Sequence, residues 1–410
     1  MHRSQKNNHA GLGTRGVWAG EEGNHWERAT QMPVALSASF GYDDVNEWLD
    51  VAQGKKQGHI YSRNTNPTVA AFEEKVRNLE MAEAATSFSS GMSAISNTLF
   101  TLLSPGDHVV SIKDTYGGTN KLFIEFLPRF GIKVSLCDTN DHTAIEAAIS
   151  RGCKAVYLES PTNPTVKIVD LGRMAKLARR IGAVMIVDNT LATPINQQPV
   201  ELGADLVVHS ATKYLGGHAD VLGGVVCGRA DLVGRIYHFR EITGACLDPM
   251  SAYLLLRGMK TLHLRIARQN ESALKIARFL ESDPRVDRVF YPGLKSHEHH
   301  DIARKQMRGF GGVLSFAIKG GFGSVKSFLP RLRYAHLAAN LGAVETVVGP
   351  PSTTSHVESS KEERAASGIP EALIRYSVGI EDPEDLIADL RNALDKVRLA
   401  KRRAKSRTGS

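Results

Sequence analysis

A lysine placed between hydroxyl residues and glycines is the most chemically informative feature of the sequence. Lys213 follows Ser210 and Thr212, directly after the apolar run 206–208, and glycines stand at positions 216 and 217. Lysine is rarely buried without a partner, because its charge is costly to remove from water. An imine with an aldehyde cofactor removes that charge, and the two hydroxyls would then lie within reach of a phosphate on the same cofactor. The alternative is a solvated lysine that opens a loop.

Other residues suit the remaining parts of such a cofactor. Asp188 ends the apolar run 184–187, where an acid can hold a protonated ring nitrogen. Ser90, Gly91 and Met92 stand before a helical run, where free backbone amides favour an anion such as phosphate. Each feature has a simpler interpretation, because both an aspartate after a strand and a serine before a helix commonly act as caps.

Three further side chains complete the set. Tyr116 lies just beyond a predicted strand and could stack on a planar ring, and Asn163, in a turn marked by prolines, could donate to a phenolate oxygen. Arg375 is a charged residue within an apolar strand, and a buried guanidinium favours a carboxylate, which it can hold through two hydrogen bonds. Together these residues are the equipment of pyridoxal-phosphate (PLP) chemistry on an amino acid.

The elements that would position these residues alternate between strands and helices. Short apolar strands are predicted at 108–112, 133–136, 155–158, 184–187 and 206–208, with helices at 69–81 and 174–181. This alternation favours a mostly parallel sheet that is covered on both faces and binds its ligand at the carboxyl ends of the strands. A long helix at 261–282 leads to a second unit with strands at 286–291, 312–318 and 373–378 and helices at 324–329 and 383–399.

The chain is therefore expected to have four parts. They are an irregular N-terminal arm (1–60), a large cofactor-binding domain (61–260), a linking helix with a small C-terminal α/β domain (261–397) and a basic tail (398–410). The arm is expected to wrap a partner subunit or stay loose. The tail is expected to aid solubility rather than bind nucleic acid, because no aromatic residues are interleaved with its charges.

Composition excludes several classes of protein. The chain has 410 residues, of which 42% are hydrophobic and 23% charged, with a net charge of +8, as in a globular protein with a sizeable core. No apolar run reaches the roughly 18 residues that span a bilayer, and the N-terminus does not resemble a signal peptide. The four cysteines are widely spaced, so no metal site is predicted; reduced core thiols in a cytoplasmic protein are expected.

The order of the motifs resembles the Cys/Met-metabolism PLP enzymes, which include cystathionine synthases and lyases, methionine γ-lyases and O-acylhomoserine sulfhydrylases. The resemblance runs from about residue 30 to 397 and rests on segments 61–68, 90–92, 114–119, 159–164, 187–190, 210–214, 255–261 and 375–382. It implies the fold-type-I architecture: a large, mostly parallel-sheet domain with a smaller C-terminal α/β domain. It also implies PLP bound to Lys213.

The resemblance implies a role for each residue. Tyr116 would stack on the cofactor ring and assist proton transfer, Asp188 would pair with the pyridine nitrogen, and Arg375 would take the substrate carboxylate. Tyr61 and Arg63 would reach the phosphate in the neighbouring subunit, which implies a homo-oligomer, a dimer of dimers, with shared active sites. The remaining cofactor contacts would be Ser90, Gly91, Met92, Asn163, Ser210 and Thr212.

Departures from the family pattern bear on the substrate. Gly118 stands where methionine γ-lyases typically have cysteine, and Ala339 where cystathionine enzymes often have a glutamate that meets a distal amino group. Asn340 instead matches the O-acylhomoserine sulfhydrylases. We therefore predict γ-elimination or γ-replacement on a methionine-, O-acylhomoserine- or canavanine-like amino acid, with Asn340 beside the substrate. A cystathionine γ-synthase or γ-lyase is the alternative, and a cofactor-free binding protein on the same scaffold is the alternative from another class.

Overall fold

A seven-stranded sheet is the framework of the larger part of the protein. The computed structural model describes residues 10–22, 28–354, 357, 361–366 and 368–397. The strands are β1 (Ala84–Phe88), β2 (His108–Ile112), β3 (Lys133–Cys137), β4 (Ala155–Glu159), β5 (Val184–Asp188), β6 (Leu206–Ser210) and β7 (Gly224–Gly228). Their spatial order is β1-β7-β6-β5-β4-β2-β3. The strands from β6 to β3 are parallel, whereas β7 runs antiparallel to both of its neighbours.

Sixteen α-helices lie within the described residues. They are α1 (Leu12–Trp18), α2 (Val45–Ala52), α3 (Pro67–Leu79), α4 (Gly91–Leu102), α5 (Gly117–Lys121), α6 (Leu127–Arg129), α7 (His142–Ser150), α8 (Leu171–Ile181), α9 (Thr193–Asn196), α10 (Ala230–Thr243), α11 (Pro249–Met259), α12 (Leu262–Ser282), α13 (His300–Gln306), α14 (Phe322–Phe328), α15 (Lys361–Ala366) and α16 (Pro383–Asp395). A π-helical turn, Leu122–Phe126, joins α5 to α6.

The parallel strands are buried on both faces, as their continuous apolar runs predict. Successive residues of β2 point to opposite sides of the sheet. Val109 packs with Leu99 of α4 on one side, and Val110 packs with Ile149 of α7 and Met174 of α8 on the other. All five strands predicted for this sheet are confirmed, and β4, β5 and β6 extend to include the polar residue at each carboxyl end.

Strands β1 and β7 are not predicted from the sequence. The first reads Ala-Ala-Thr-Ser-Phe and contains a single large apolar residue, and the second is short and begins and ends with glycine, which weakens a strand pattern. They nonetheless extend the sheet at one end, because β7 pairs with β6 and with the edge strand β1 and begins beside the turn at Ser90.

Local signals fix the limits of α3. The Asn66 side chain accepts hydrogen bonds from the backbone N–H groups of Thr68 and Val69, and Pro67 occupies the first helical position. The helix was expected at 69–81 but ends at Leu79. It ends early because Met81 adopts a left-handed backbone conformation (φ 59°), which an α-helix cannot continue through.

A five-stranded sheet forms the second part of the fold. Its strands are β8 (Val286–Phe290), β9 (Val313–Ile318), β10 (His336–Leu337), β11 (Val347–Gly349) and β12 (Leu373–Ser377), in the order β10-β11-β12-β9-β8. Leu280 of α12, Phe328 of α14 and Leu390 of α16 pack on its apolar side chains. The predicted strands and helices of this part are confirmed, with shifts of a few residues at their ends.

The last helix is shorter than expected. It was predicted to reach residue 399 but ends at Asp395, where the backbone turns and the N–H of Val397 donates to the carbonyl of Leu394. This turn carries Val397 onto the core of the second sheet. The basic tail (398–410) lies outside the described residues.

The expectation of an irregular N-terminal arm is wrong for two short segments, which are helical. The arm contains α1 and α2, and α1 is docked because the fully buried Lys75 amine donates to the carbonyl of Gly16 and to a carboxylate oxygen of Glu21 at 2.7 Å. By contrast, every residue of α2 stays at least partly exposed, including Trp48.

The structure also bears on the expectations from composition. Among the described residues, no helix is both long and apolar enough to cross a membrane. The four cysteines are free, but only Cys227 is fully buried; the other three are half-buried. They are therefore less deeply placed in the core than expected.

Candidate active site

One cavity of about 280 Å³ lies at the carboxyl edge of the large sheet and reaches the second sheet through Arg375 of β12. We call it the site cavity. It gathers nearly all of the predicted site residues: Ser90, Gly91, Met92, Tyr116, Asn163, Asp188, Ser210, Thr212, Lys213, Asn340 and Arg375. Residues that the sequence analysis did not single out also line it, namely Ile95, Glu159, Thr190, Leu191, Leu222, Leu341 and Thr354.

Lys213 lies at the centre of this group, where it makes one side-chain hydrogen bond to the residues that the structure describes. Its Nζ atom donates to Oδ1 of Asn340 at 2.9 Å. Burial, aided by the nearby positive charge of Arg375, lowers the pKa of the Lys213 amine to about 8. A measurable fraction of the amine is therefore neutral, and nucleophilic, near neutral pH.

Arg375 joins the two sheets. Its Nη1 donates to Oδ1 of Asn163 at 3.1 Å and its Nη2 donates to the backbone carbonyl of Asn340 at 2.8 Å. Its Nε has no hydrogen-bond partner among the described residues, which also provide no carboxylate for the guanidinium. Burial lowers the pKa of Arg375 to about 10, so the side chain remains a cation and retains a donor for a carboxylate.

The turn at Ser90 and Gly91 lies against the ends of two strands. Ser90 Oγ accepts from the N–H of Ser93 at 3.1 Å, so the capping interpretation of this serine is correct, although the residue also lines the site cavity. A Cβ atom at Gly224, the first residue of β7, would lie 2.1 Å from the carbonyl oxygen of Ser90. A Cβ at Gly91 would lie 2.7 Å from Cβ of Ser210. Glycine at both positions allows the backbones to meet around this end of the cavity.

Asp188 likewise combines two functions. Its Oδ1 accepts from the N–H of Thr190 at 3.0 Å, the capping contact considered above, and its Oδ2 accepts from the hydroxyl of Tyr157 at 3.2 Å. The side chain also lines the site cavity. Directly beside it in register on β4 is Glu159, which is 3% exposed.

Tyr116 packs closely because residue 118 is glycine. A Cβ at Gly118 would lie 2.9 Å from the sulfur of Met92 and 3.0 Å from a ring carbon of Tyr116. Tyr116 itself is half exposed at the mouth of the cavity. A cysteine at this position would therefore displace either Met92 or Tyr116.

Tyr61 and Arg63 do not line the site cavity. The Arg63 guanidinium lies over the ring of Tyr61, 5.6 Å from its centroid, and donates to the carbonyl of Glu241 at 2.7 Å. Asn64 contacts the carboxylate of the same Glu241, and Arg240 donates to the Asn64 carbonyl. The end of α10 thus holds the segment in place with Tyr61 at the surface.

Comparison with known proteins gives a consistent result. A model of the family described as Cys/Met metabolism PLP-dependent enzyme matches residues 13–395. The chain is 44% identical over 390 residues to an L-methionine γ-lyase of Fusobacterium nucleatum subsp. polymorphum, covering 94% of this chain and 98% of the relative. It is 46% identical over 354 residues to a cystathionine γ-lyase of Bacillus subtilis, covering 86% and 93%. A solved structure of cystathionine γ-synthase from Xanthomonas oryzae pv. oryzae in complex with cystathionine superimposes with a TM-score of 0.90 at 36% identity, covering 95% of this chain and 98% of the other.

Gly224→Ala tests the close approach at the Ser90 turn. The added methyl group meets a backbone carbonyl that cannot rotate away, so we expect the affinity for PLP to fall by roughly 10-fold or more, as for a site whose hydrogen bonds are misaligned. The measurement is titration of the apo-protein with PLP, followed by absorbance. Gly234→Ala is the matched control, because that glycine lies in α10 with nothing near its Cβ direction. Equal affinities in the two variants would contradict the prediction.

Proposed function

The chain belongs to the Cys/Met metabolism family of PLP-dependent enzymes, and on that premise we propose that it eliminates the γ-substituent of an amino acid whose leaving group carries no second amino-acid head group. Its cofactor is PLP, and its reaction class is γ-elimination or γ-replacement on a small amino-acid substrate. The observation that carries the finer proposal is the cavity wall formed by Ala339, Asn340 and Leu341, which contains no ionisable side chain and lies in the same cavity as Arg375.

The residues of the site cavity fit PLP. We propose that Asp188 meets the ring nitrogen, that Tyr116 stacks on the ring and that Asn163 donates to the phenolate oxygen. The start of α4 suits a phosphate, because its backbone amides and the nearby hydroxyls are donors at a helix N-terminus. The phosphate ligands that we propose are Ser90, Gly91, Met92, Ser210 and Thr212.

PLP, when bound, supplies an electron sink that stabilises negative charge at the substrate Cα. Lys213 is placed to bind the cofactor and then to move the proton at Cα, because burial keeps its Nζ partly neutral. Asn340 orients this amine through its Oδ1 atom before the substrate arrives.

Arg375 is proposed to anchor the substrate by its α-carboxylate. The Nε donor without a partner is suited to one carboxylate oxygen, and the contacts with Asn163 and Asn340 hold the guanidinium plane. Fixing the carboxylate orients the Cα–H bond toward Lys213, which is the geometric requirement for proton transfer.

The overall elimination consumes one molecule of water for each molecule of substrate. The γ-substituent leaves with a proton as a thiol or a related neutral compound, and hydrolysis of the remaining four-carbon unit releases ammonia and a 2-oxo acid. The second candidate is γ-replacement, in which a thiol takes the place of the leaving group. The contact between Asn340 and Lys213 favours it, since asparagine at this position matches the O-acylhomoserine sulfhydrylases.

We also propose that each active site is completed by a second copy of the chain. Tyr61 is 46% exposed and lies outside its own site cavity, although the family resemblance gives it and Arg63 a phosphate contact. Nearby, Trp48 and Leu49 of α2 leave apolar surface exposed, as expected of a helix that packs on a partner.

A substrate panel tests the proposed reaction. Methionine, O-acetylhomoserine, O-succinylhomoserine, canavanine and cystathionine are each incubated with the enzyme, with and without sulfide or cysteine, and the products are identified by mass spectrometry. We expect a 2-oxo acid without added thiol and a lower kcat/KM for cystathionine than for the best substrate. A clear preference for cystathionine, or reaction only with β-substituted substrates such as cysteine, would show that the proposal is wrong.

Ala339→Glu tests the cavity wall directly. A carboxylate here can meet the distal amino group of cystathionine, so kcat/KM for cystathionine relative to methionine should rise on the order of 10-fold, the value of one charged hydrogen bond. Ala338→Glu is the matched control, because Ala338 is exposed like Ala339 but does not line the site cavity. An unchanged substrate ratio in Ala339→Glu would remove Ala339 from the substrate pocket.

The pKa of Lys213 predicts how PLP capture depends on pH. The amine must be neutral to attack, so the rate of covalent capture by the apo-protein should rise with pH and level off above a midpoint of about 8. Arg375→Gln removes a charge that lowers this pKa, and its midpoint should move upward. Stopped-flow absorbance measures both curves. A wild-type rate still rising well above pH 9, as for a solvated lysine, would contradict the assignment.

Subunit mixing tests the shared site. Arg63→Ala and Lys213→Ala protomers, each expected to be nearly inactive alone, are co-expressed with different tags and purified as mixed oligomers. In a dimer of one variant with the other, the site that takes Lys213 from one protomer and Arg63 from the other is intact and the second site lacks both residues, so each mixed dimer should retain about half of the wild-type sites. Mixed oligomers without any recovery would show that the site is not shared.

A further inference from the structure

We propose that Glu159 is a positioning residue of the active site, whose carboxylate ties the loop carrying Tyr116 to the turn carrying Asn163. Its Oε2 accepts from the backbone N–H of Tyr116 at 2.9 Å, and its Oε1 accepts from the backbone N–H of Asn163 at 3.2 Å. One side chain therefore joins the segments that follow β2 and β4. The inference rests on the proposed function, because it gives these two segments their place at the cofactor ring.

The geometry requires a carboxylate and not merely a polar residue. The N–H of Asn163 lies in the interior, where Asn163 is 3% exposed, and the hydrogen bond from the N–H of Tyr116 is partly buried. Leaving such a donor unsatisfied is costly. A carboxylate has two acceptor oxygens and no proton to present, so it can satisfy both donors together. A glutamine would turn its NH₂ group toward one of them.

The unfavourable placement of two buried carboxylates side by side supports a functional role for Glu159. Glu159 and Asp188 are paired in register on neighbouring parallel strands, so two carboxylates lie side by side at the cavity. Burial raises the pKa of Glu159 well above its usual value and the charge of Asp188 raises it further, whereas the hydrogen bonds from the N–H groups of Tyr116 and Asn163 act in the opposite direction and favour the carboxylate. A buried acid that is disfavoured twice, yet fully hydrogen-bonded, is more typical of an active site than of a structural core.

The tie also extends to the substrate arginine. Asn163 is held by Glu159 through its backbone N–H and accepts from Nη1 of Arg375 through its side chain. Displacing the turn at Asn163 would therefore disturb the partner of Arg375 as well as the proposed contact with the cofactor. Loss of Glu159 should affect both cofactor affinity and the Michaelis constant of the amino acid.

Glu159→Gln in the full chain is the test. We expect the dissociation constant of PLP, measured by reconstituting the apo-protein, to rise on the order of 10- to 100-fold, as for the loss of one buried hydrogen bond. At saturating PLP, KM should rise together with a fall in kcat, and the visible circular dichroism of the bound cofactor should decrease because the ring is less firmly held.

Asp389→Asn is the matched control. Asp389 is 4% exposed, its Oδ2 accepts from the N–H groups of Arg333 and Tyr334 at 2.8 and 3.2 Å, and none of these three residues lines the site cavity. The Asp389→Asn variant loses the same kind of contact as Glu159→Gln. The urea midpoints of the two variants should fall by comparable amounts, but the PLP affinity of Asp389→Asn should be unchanged. Equal losses of PLP affinity in the two variants would reduce Glu159 to a structural residue and overturn the inference.

A folded Glu159→Gln enzyme with wild-type PLP affinity, kcat and KM would also overturn it. If that variant does not fold, Glu159→Asp carries the test, because it keeps the charge but is one methylene too short to span both donors. It should show the same losses to a smaller degree, and wild-type values would overturn the inference. A wild-type protein that does not bind PLP would instead overturn the proposed function, so the two failures are distinguishable.

Discussion

The site depends on the burial of the Lys213 amine, because an amine that is removed from water binds its proton less tightly. Burial lowers the pKa of Lys213 to about 8, with a further contribution from Arg375. The same seclusion raises the pKa of Glu159 and lowers that of Arg375 to about 10. A cavity of about 280 Å³ thus holds groups of both signs with shifted pKa values, and among them the Lys213 amine is the one whose pKa lies close enough to physiological pH to exchange a proton there.

Two sheets must be held together for this seclusion to persist. Arg375 reaches from β12 to Asn163, in the turn that follows β4 of the large sheet. On α12, the fully buried Gln269 donates to the carbonyls of Ala343 and Val378, which fixes the segment that carries Asn340. Lys213, Asn340 and Arg375 therefore lie on three separate segments of the chain. Rigid support of these segments keeps the three side chains in the fixed geometry on which catalysis by proximity and orientation depends.

Much of this arrangement can be predicted from the sequence because its signals are local. The parallel strands are continuous apolar runs that end in a polar residue, and the carboxyl ends of such strands meet at one edge of the sheet. Lys213, Asp188 and Asn163 can therefore be assigned to one place from the order of the strands alone. Arg375 stands out in the sequence as a charge within an apolar strand. Its contact with Asn163 cannot be predicted in the same way, because the two residues are distant in the chain.

The features that escape prediction depend on long-range packing. Strand β7 lacks a strong local pattern and exists because β1 and β6 pair with it. Helix α1 is stabilised by the distant Lys75. The two contacts of Glu159 go to backbone N–H groups, one of them 43 positions away, and a backbone donor has no signature in the sequence. A carboxylate at the end of a buried strand was the available signal, but it is equally typical of a turn cap.

The close packing of Gly224 against the Ser90 carbonyl also bears on the thermodynamics of cofactor binding. The turn is pressed between α4 and the ends of two strands, so its shape is set by the sheet itself. The conformational entropy of ordering this turn is then lost when the chain folds, not when the proposed phosphate contact forms. Pre-organisation of this kind leaves more of the interaction free energy available as affinity, and it makes the apo-protein a rigid receptor for its cofactor.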